Sequence, residues 1–245
     1  MKEHKEYSER YYRKRARARD LVSFRVVVKE TDLWISAEDS LEKEAEDLVF
    51  NYRNQLENYI SAHPEFLTTY HPFPEDPFAP PMVKEMIEYT RRIEVGPMAS
   101  VAGAIAQYVG MGLLRLTGQV IVENGGDIFL SVKRPATISI FAGKSPLSEK
   151  IGIKAPATKM PLGICSSSAT IGHSFSAGKA DLACVVSQSA ILADGAATAL
   201  CNRVQNKKDL RALASWAKAM RGVLGALLIM GDQLATWGDI ELIRL

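Results

Sequence analysis

The densest run of chemistry-bearing residues is Gly163-Ile164-Cys165-Ser166-Ser167-Ser168, continuing through Thr170 and Gly172 to His173 and Ser174. Hydroxyls of Ser167 and Ser168, with backbone N–H groups opened up by glycine, are the groups that bind phosphate or another anion. Cys165 adds a nucleophile, provided that a cation or helix N-terminus stabilises its thiolate. His173 supplies that charge if the chain folds back on itself. The plainer explanation is a small buried cysteine beside a structural histidine. A second candidate is Asp194 with Thr198, four residues apart and so on one face of a helix. A carboxylate and a hydroxyl suit Mg²⁺, which takes hard oxygen ligands and keeps waters or phosphates. The alternative is that Asp194 caps its own helix. A third is Asn124-Gly125-Gly126-Asp127, where Asp127 could meet a ribose or cation while the glycines admit a ligand to the backbone; a hairpin turn also explains it. A fourth is Gly96 to Ser100, ahead of a small-residue helix whose first N–H groups could hold phosphate.

The elements that must position these residues follow from periodicity. Leu21 to Val28 and Thr31 to Ser36 are rich in β-branched and aromatic residues and predict a first hairpin. Leu41, Ala45, Leu48, Val49, Tyr52, Leu56, Tyr59 and Ile60 recur at helical spacing, with a charged opposite face. Residues 63–81 hold six of the eleven prolines, which excludes helix through most of that stretch. Phe66, Phe73 and Phe78 would anchor it as an ordered surface loop. A helix over 83–92 follows, then a small-residue helix from Met98 to Leu116. Strands are expected at 119–123, 127–132 and 137–142, then a long connection over 143–162. Further strands are expected at 162–168 and 182–187, with helices over 193–204 and 209–221. The chain closes with a strand at 223–230 and a short terminal strand. Strand runs separated by helices favour an α+β fold: a mainly antiparallel sheet with helices on one face.

Composition narrows the function classes. With 245 residues, 47% of them hydrophobic, the chain can bury a large core without staples. Its 30 basic and 28 acidic side chains leave a net charge of +2, which makes no global case for nucleic acid or membrane binding. Residues 1–20 carry eight Lys or Arg and four acids and read as a solvated basic lead-in to one domain over 21–245. Three cysteines without CxxC spacing argue against disulfides or a zinc ribbon, and with no apolar N-terminal region the expected compartment is the cytoplasm. The uncharged stretch from Val95 to Leu114 is read as a close-packed helix, since it opens with Gly96-Pro97 and contains Gln107.

In this order the motifs resemble the ApbE-like (T-fold) group, whose best-known members are FAD:protein FMN transferases. The matches are Gly125-Gly126-Asp127 and Ala193-Asp194 through Thr198-Ala199-Leu200. The chain more closely resembles a branch of that group, uncharacterised protein family two-eighty, common in methanogens and other anaerobes. That likeness runs through Gly96-Pro97-Met98-Ala99, Glu123 to Asp127, Gly163-Ile164-Cys165, Gly172-His173-Ser174, Gly178 to Asp181 and Ala193-Asp194. The wider group implies Mg²⁺ near Asp194 and Thr198 and a flavin nucleotide beside Gly96, Ser100, Asn124 and Asp127. The transferases' His-x-x-Asp-Pro-x-Thr-Gly element is replaced here, because Ser174-Phe175-Ser176 follow His173.

The branch implies sulfur assimilation: sulfide use on a route to homocysteine, with Cys165 as a persulfide carrier and a small sulfur species or sulfur-transfer protein as partner. Two other readings stand beside it, a Mg²⁺-dependent flavin- or nucleotide-binding enzyme and a non-catalytic binding protein on the same scaffold.

Overall fold

The computed structural model describes residues 21–170 and 177–245; His173 lies outside them. Among the described residues, eleven strands form two sheets. β1 (Val22–Val28), β2 (Thr31–Ala37), β3 (Val120–Asn124), β4 (Asp127–Ser131), β7 (Leu162–Ser167), β8 (Leu182–Ser187), β9 (Val223–Met230) and β10 (Gln233–Gly238) lie in that order in one eight-stranded sheet. Every neighbouring pair is antiparallel. The turns adopt positive φ at glycines that accept it, Gly125 (67°) and Gly126 (110°) between β3 and β4 and Gly231 (63°) between β9 and β10, and at the non-glycine Lys29 (52°) between β1 and β2. Two successive positive-φ glycines give the turn whose twist matches a hairpin.

Helices cover one face. They are α1 (Glu42–Ala62), the short α2 (Glu65–Thr68), α3 (Pro81–Arg92), α4 (Val101–Leu113), α5 (Ala190–Arg203) and α6 (Leu213–Ala219). A single buried cluster joins them to the sheet and draws on both sides of the proline-rich stretch, from Leu56 to Met82 and Val83. Within that stretch Phe66 and Phe73 are buried and stack edge-on at 5.1 Å. Phe78 is 95% exposed and anchors nothing. α4 and α5 approach closely because small residues line their contact. A Cβ on Gly103 would lie 2.3 Å from the Ala190 carbonyl oxygen, and one on Gly163 would lie 2.3 Å from Ala190 Cα. No helix among the described residues is long and apolar enough to cross a membrane.

The other face carries a second sheet that the sequence reading did not anticipate. It has the order β11 (Glu241–Arg244), β6 (Ile151–Ala155), β5 (Ala136–Ser139). β6 falls inside the expected long connection over 143–162. It is short and finds its partners in β5 and in β11, so its pairing left no local signal. The expected terminal strand divides into β10 and β11, in different sheets, about Gly238, whose φ is 73°. The helix expected over 209–221 is a 3₁₀ turn at Lys207–Ala212, closed by an Asn206–Asp209 capping box, followed by α6. Likewise the Met98–Leu116 helix divides into a 3₁₀ turn at Pro97–Ser100 and α4.

Candidate functional site

A cavity of about 650 Å³ opens at the β3–β4 turn and runs from the helix layer to the second sheet. Its helix side is lined by Gly96, Met98, Ala102, Asp194 and Thr198. Gly125, Gly126, Asp127, Ser167 and Ser168 come from strand ends. Trp34, Ile121, Ile138, Ile140 and Phe141 make an apolar wall towards the second sheet. Thus most of the residues singled out in the sequence converge here from four separate segments.

Asp194 sits on α5, whose own start is capped by Ser189: its Oγ accepts the Leu192 N–H at 3.3 Å. The carboxylate therefore does not cap its own helix. Its Oδ2 instead accepts the Gly103 N–H of α4 at 2.8 Å, and the Ala102 N–H also donates to it. Two of the N–H groups at the start of α4, those of Ala102 and Gly103, are thus held by Asp194 rather than open to a phosphate. Asp127 enters from β4 and its Oδ1 accepts the Ser166 N–H at 3.2 Å. Both carboxyls are more than nine-tenths buried. Burial drives the Asp194 carboxyl up, against the two N–H bonds. Burial and then the charge of Asp194 drive the Asp127 carboxyl up, with Glu123 adding to the effect. Glu123, equally buried, accepts the Gly126 N–H at 2.9 Å and so braces the turn.

Three expected site residues do not face the cavity as ligand contacts would. Ser100 is buried, and its hydroxyl donates to the Pro97 carbonyl at 2.9 Å. Asn124 is turned towards α4, its Nδ2 donating to the Ala102 carbonyl at 3.1 Å. Cys165 is fully buried, and its thiol donates to the Ala190 carbonyl at 3.4 Å. Strand alternation explains the last case: Ser166 and Ile164 face one side of β7 and Cys165 the other, under α5. Burial pushes the Cys165 thiol well up, and the charges of Asp127 and Asp194 push the same way. A carrier thiol needs access and a stabilised thiolate, and here it has neither. Burial likewise pushes Cys184 up to about 12.

The sequence reading missed Trp34, Phe141, Tyr70 and Asn202 on the cavity wall. Asn202 had a readable signal, being two turns after Asp194 and one after Thr198 on α5. Trp34 and Phe141 had none, since only the unanticipated second sheet brings them to one cavity.

The donor set fits a hard divalent cation. Asp194 and Thr198 offer hard oxygens on one helical face of the cavity. Burial disfavours the charged form of both Asp127 and Asp194, and a cation bound beside them would offset that penalty by stabilising their carboxylates. Among the described residues no group of three or more His, Cys, Asp or Glu side chains is gathered to hold a metal, so such an ion would keep waters or ligand oxygens.

Residues 13–233 match the family model AbpE bacteria. The UPF0280 protein of Methanocaldococcus jannaschii is 36% identical over 227 residues, covering 90% of this chain and 92% of the relative. That of Methanothrix thermoacetophila is 40% identical over 203 residues, covering 82% and 84%. Among solved structures, the flavin transferase ApbE from Vibrio cholerae aligns with a TM-score of 0.58 at 12% identity, covering 89% of this chain and 97% of that one. The apo flavinyl transferase ApbE of Pseudomonas stutzeri aligns at 0.53, also at 12% identity, covering 89% and 94%. At that identity the likeness shows a shared fold. With the family model spanning most of its length and its methanogen relatives matching nearly end to end, the chain belongs to the UPF0280 family of ApbE-like proteins.

Proposed function

We propose that this protein binds an anionic flavin-type nucleotide in the cavity, together with a Mg²⁺ ion held by Asp194 and Thr198. One observation carries the reading. The described lining joins an apolar, aromatic wall to an end bearing Glu123, Asp127 and Asp194, with no Lys, Arg or His among its residues. A planar ring suits the first part. A phosphate would be repelled by the second unless a cation stood between them. The cavity's size is that of a cofactor site, and the solved proteins of the same fold are named flavin transferases. When bound, Mg²⁺ would neutralise phosphate oxygens. The chain's part is to orient the ion through Asp194, shape the backbone approach at Gly125 and Gly126, and exclude water with the apolar wall. Sulfur carriage through Cys165 gains no support from this geometry.

Equilibrium dialysis of FMN, FAD and riboflavin, each with Mg²⁺ or with EDTA, tests the reading. FMN or FAD should bind with Mg²⁺ and be released by EDTA, and Asp194→Asn should abolish the difference. Equal binding in EDTA, or no binding of any flavin, would sink it.

A further inference from the structure

Asn124 was expected to touch a ligand, and the structure gives it another partner. Its Nδ2 donates to the carbonyl oxygen of Ala102 at 3.1 Å. The N–H of the next residue, Gly103, donates to Asp194 Oδ2 at 2.8 Å. That carbonyl and that N–H belong to one peptide group, which is planar and moves as a unit. Ala102 lies in the first turn of α4, whose ladder also uses its carbonyl, so Asn124 adds a second bond to a peptide the helix already holds, and a tilt of that plane moves both bonds. In a trans peptide the C=O and N–H point opposite ways, so Asn124 and Asp194 grip the same plate from opposite sides. A bond accepted at the oxygen also polarises the N–H and strengthens its bond to the carboxylate.

We propose that Asn124 is a positioning residue for Asp194, acting through the Ala102–Gly103 peptide. It ties the β3–β4 turn, which carries Asp127, to the α4 start that aims the Asp194 carboxylate. The device sets the relation between the two buried acids, which lie on strands and helices distant in sequence. A brace at the far side of the junction frees Asn124 from holding the helices together. Gln107 Oε1 on α4 accepts the Ala190 N–H at 2.7 Å and the Ser189 hydroxyl at 3.2 Å. Removing Asn124 therefore loosens the aim while α4 and α5 stay docked. Asn124 has no positive φ, so Ala can replace it without backbone strain at that position.

The inference rests on the proposed cation site for its consequence, while the positioning itself can be read without any cation. Two measurements on the full chain separate them. In an ¹⁵N–¹H spectrum, Asn124→Ala should shift the Gly103 amide and speed its hydrogen exchange, leaving the Ala190 amide in place. With Mn²⁺ followed by electron paramagnetic resonance, the same variant should bind about tenfold more weakly at unchanged stoichiometry. Global destabilisation alone would weaken the apparent affinity only in proportion to the folded fraction, so both proteins are compared at a temperature where their melts show them fully folded. Asn124→Ser, which keeps a shorter donor, should recover part of both effects. An unmoved Gly103 amide in Asn124→Ala overturns the proposal, as does an unchanged Mn²⁺ affinity. Failure of the wild type to bind Mn²⁺ removes the cation reading instead, and the Gly103 amide then decides the positioning role by itself.

Discussion

Asp194 and Asp127 show how a few side chains set the character of the whole cavity. In the cation-free protein each carboxyl is raised above its unfolded value of about 4. The folded state then binds more protons at these two sites than the unfolded state between those limits, so the stability they contribute falls as pH climbs through that window, above the acid range in which the lowered carboxyls of Glu38, Glu57 and Asp76 add stability. Thermal melts in EDTA from about pH 4 to about pH 8 should show this decline. Asp194→Asn keeps an acceptor for Gly103, removes the charge and should flatten the slope. Divalent cation should restore the wild type most strongly at the high-pH end, because it replaces the proton. A wild-type melting temperature that rises steadily across the range would refute the account. The thiols give a second test at this scale. Cys165, Cys184 and Cys201 are all buried, so iodoacetamide should label none of them in the native protein at a rate faster than unfolding allows. Rapid native labelling of Cys165 would reopen the carrier reading. The sequence could name these residues because hydroxyls, carboxylates and glycines announce themselves by type. It could not orient them: Cys165 and Ser166 are neighbours in the chain and lie on opposite faces of β7.

Among the elements, the junction of α4, α5 and β7 matters most to the site. Its spacing is fixed by glycines with no room for a side chain. Gly103→Ala would push a methyl to 2.8 Å from Asp194 Cβ and 2.3 Å from a backbone oxygen. It should cost on the order of 3 kcal/mol and weaken Mn²⁺ binding as well, because Asp194 must move. Gly125→Ala meets nothing within 4 Å. It carries only the positive-φ penalty of about 1–2 kcal/mol and should leave Mn²⁺ affinity near the wild-type value. Chemical denaturation and Mn²⁺ titration of the pair would show whether close packing and turn geometry separate in this way. Elements with long local periodicity, such as α1, were legible in sequence. So was the β3–β4 turn, where Asn124-Gly125-Gly126 carries its own conformational instruction. β6 was not, because a short strand whose partners β5 and β11 lie elsewhere in the chain gains its stability from them rather than from composition.

For the whole molecule, one large sheet is enclosed by helices on one side and by a small sheet on the other, and the cavity joins the two sides at the strand ends. This division predicts a division of labour. Leu242→Asp, in β11, places a charge against the second-sheet core and disturbs the wall that carries Ile138 and Ile140. It should lower the melting temperature by roughly 5 °C and weaken flavin binding, while Mn²⁺ affinity, set on the helix side, stays close to normal. Loss of both in proportion would mean that the cavity acts as one unit. The α+β class and the single helical face were readable from the alternation of patterns along the chain. The second sheet was not, since it is assembled from strands on either side of the main sheet's last four.

The closure of that second sheet also has a consequence for biosynthesis. Lys154 of β6 and Glu241 of β11 pair across 87 positions of sequence. During translation, at a few to twenty residues per second, the carboxylate end of the cavity can gather once α5 has emerged. The sheet behind the apolar wall is complete only when β11 joins β6. A nascent chain therefore passes through a stage in which it has an acidic pocket and lacks a finished ring shelf. If the cavity takes a flavin nucleotide as proposed, its apolar wall would gain full support only once β11 has joined β6.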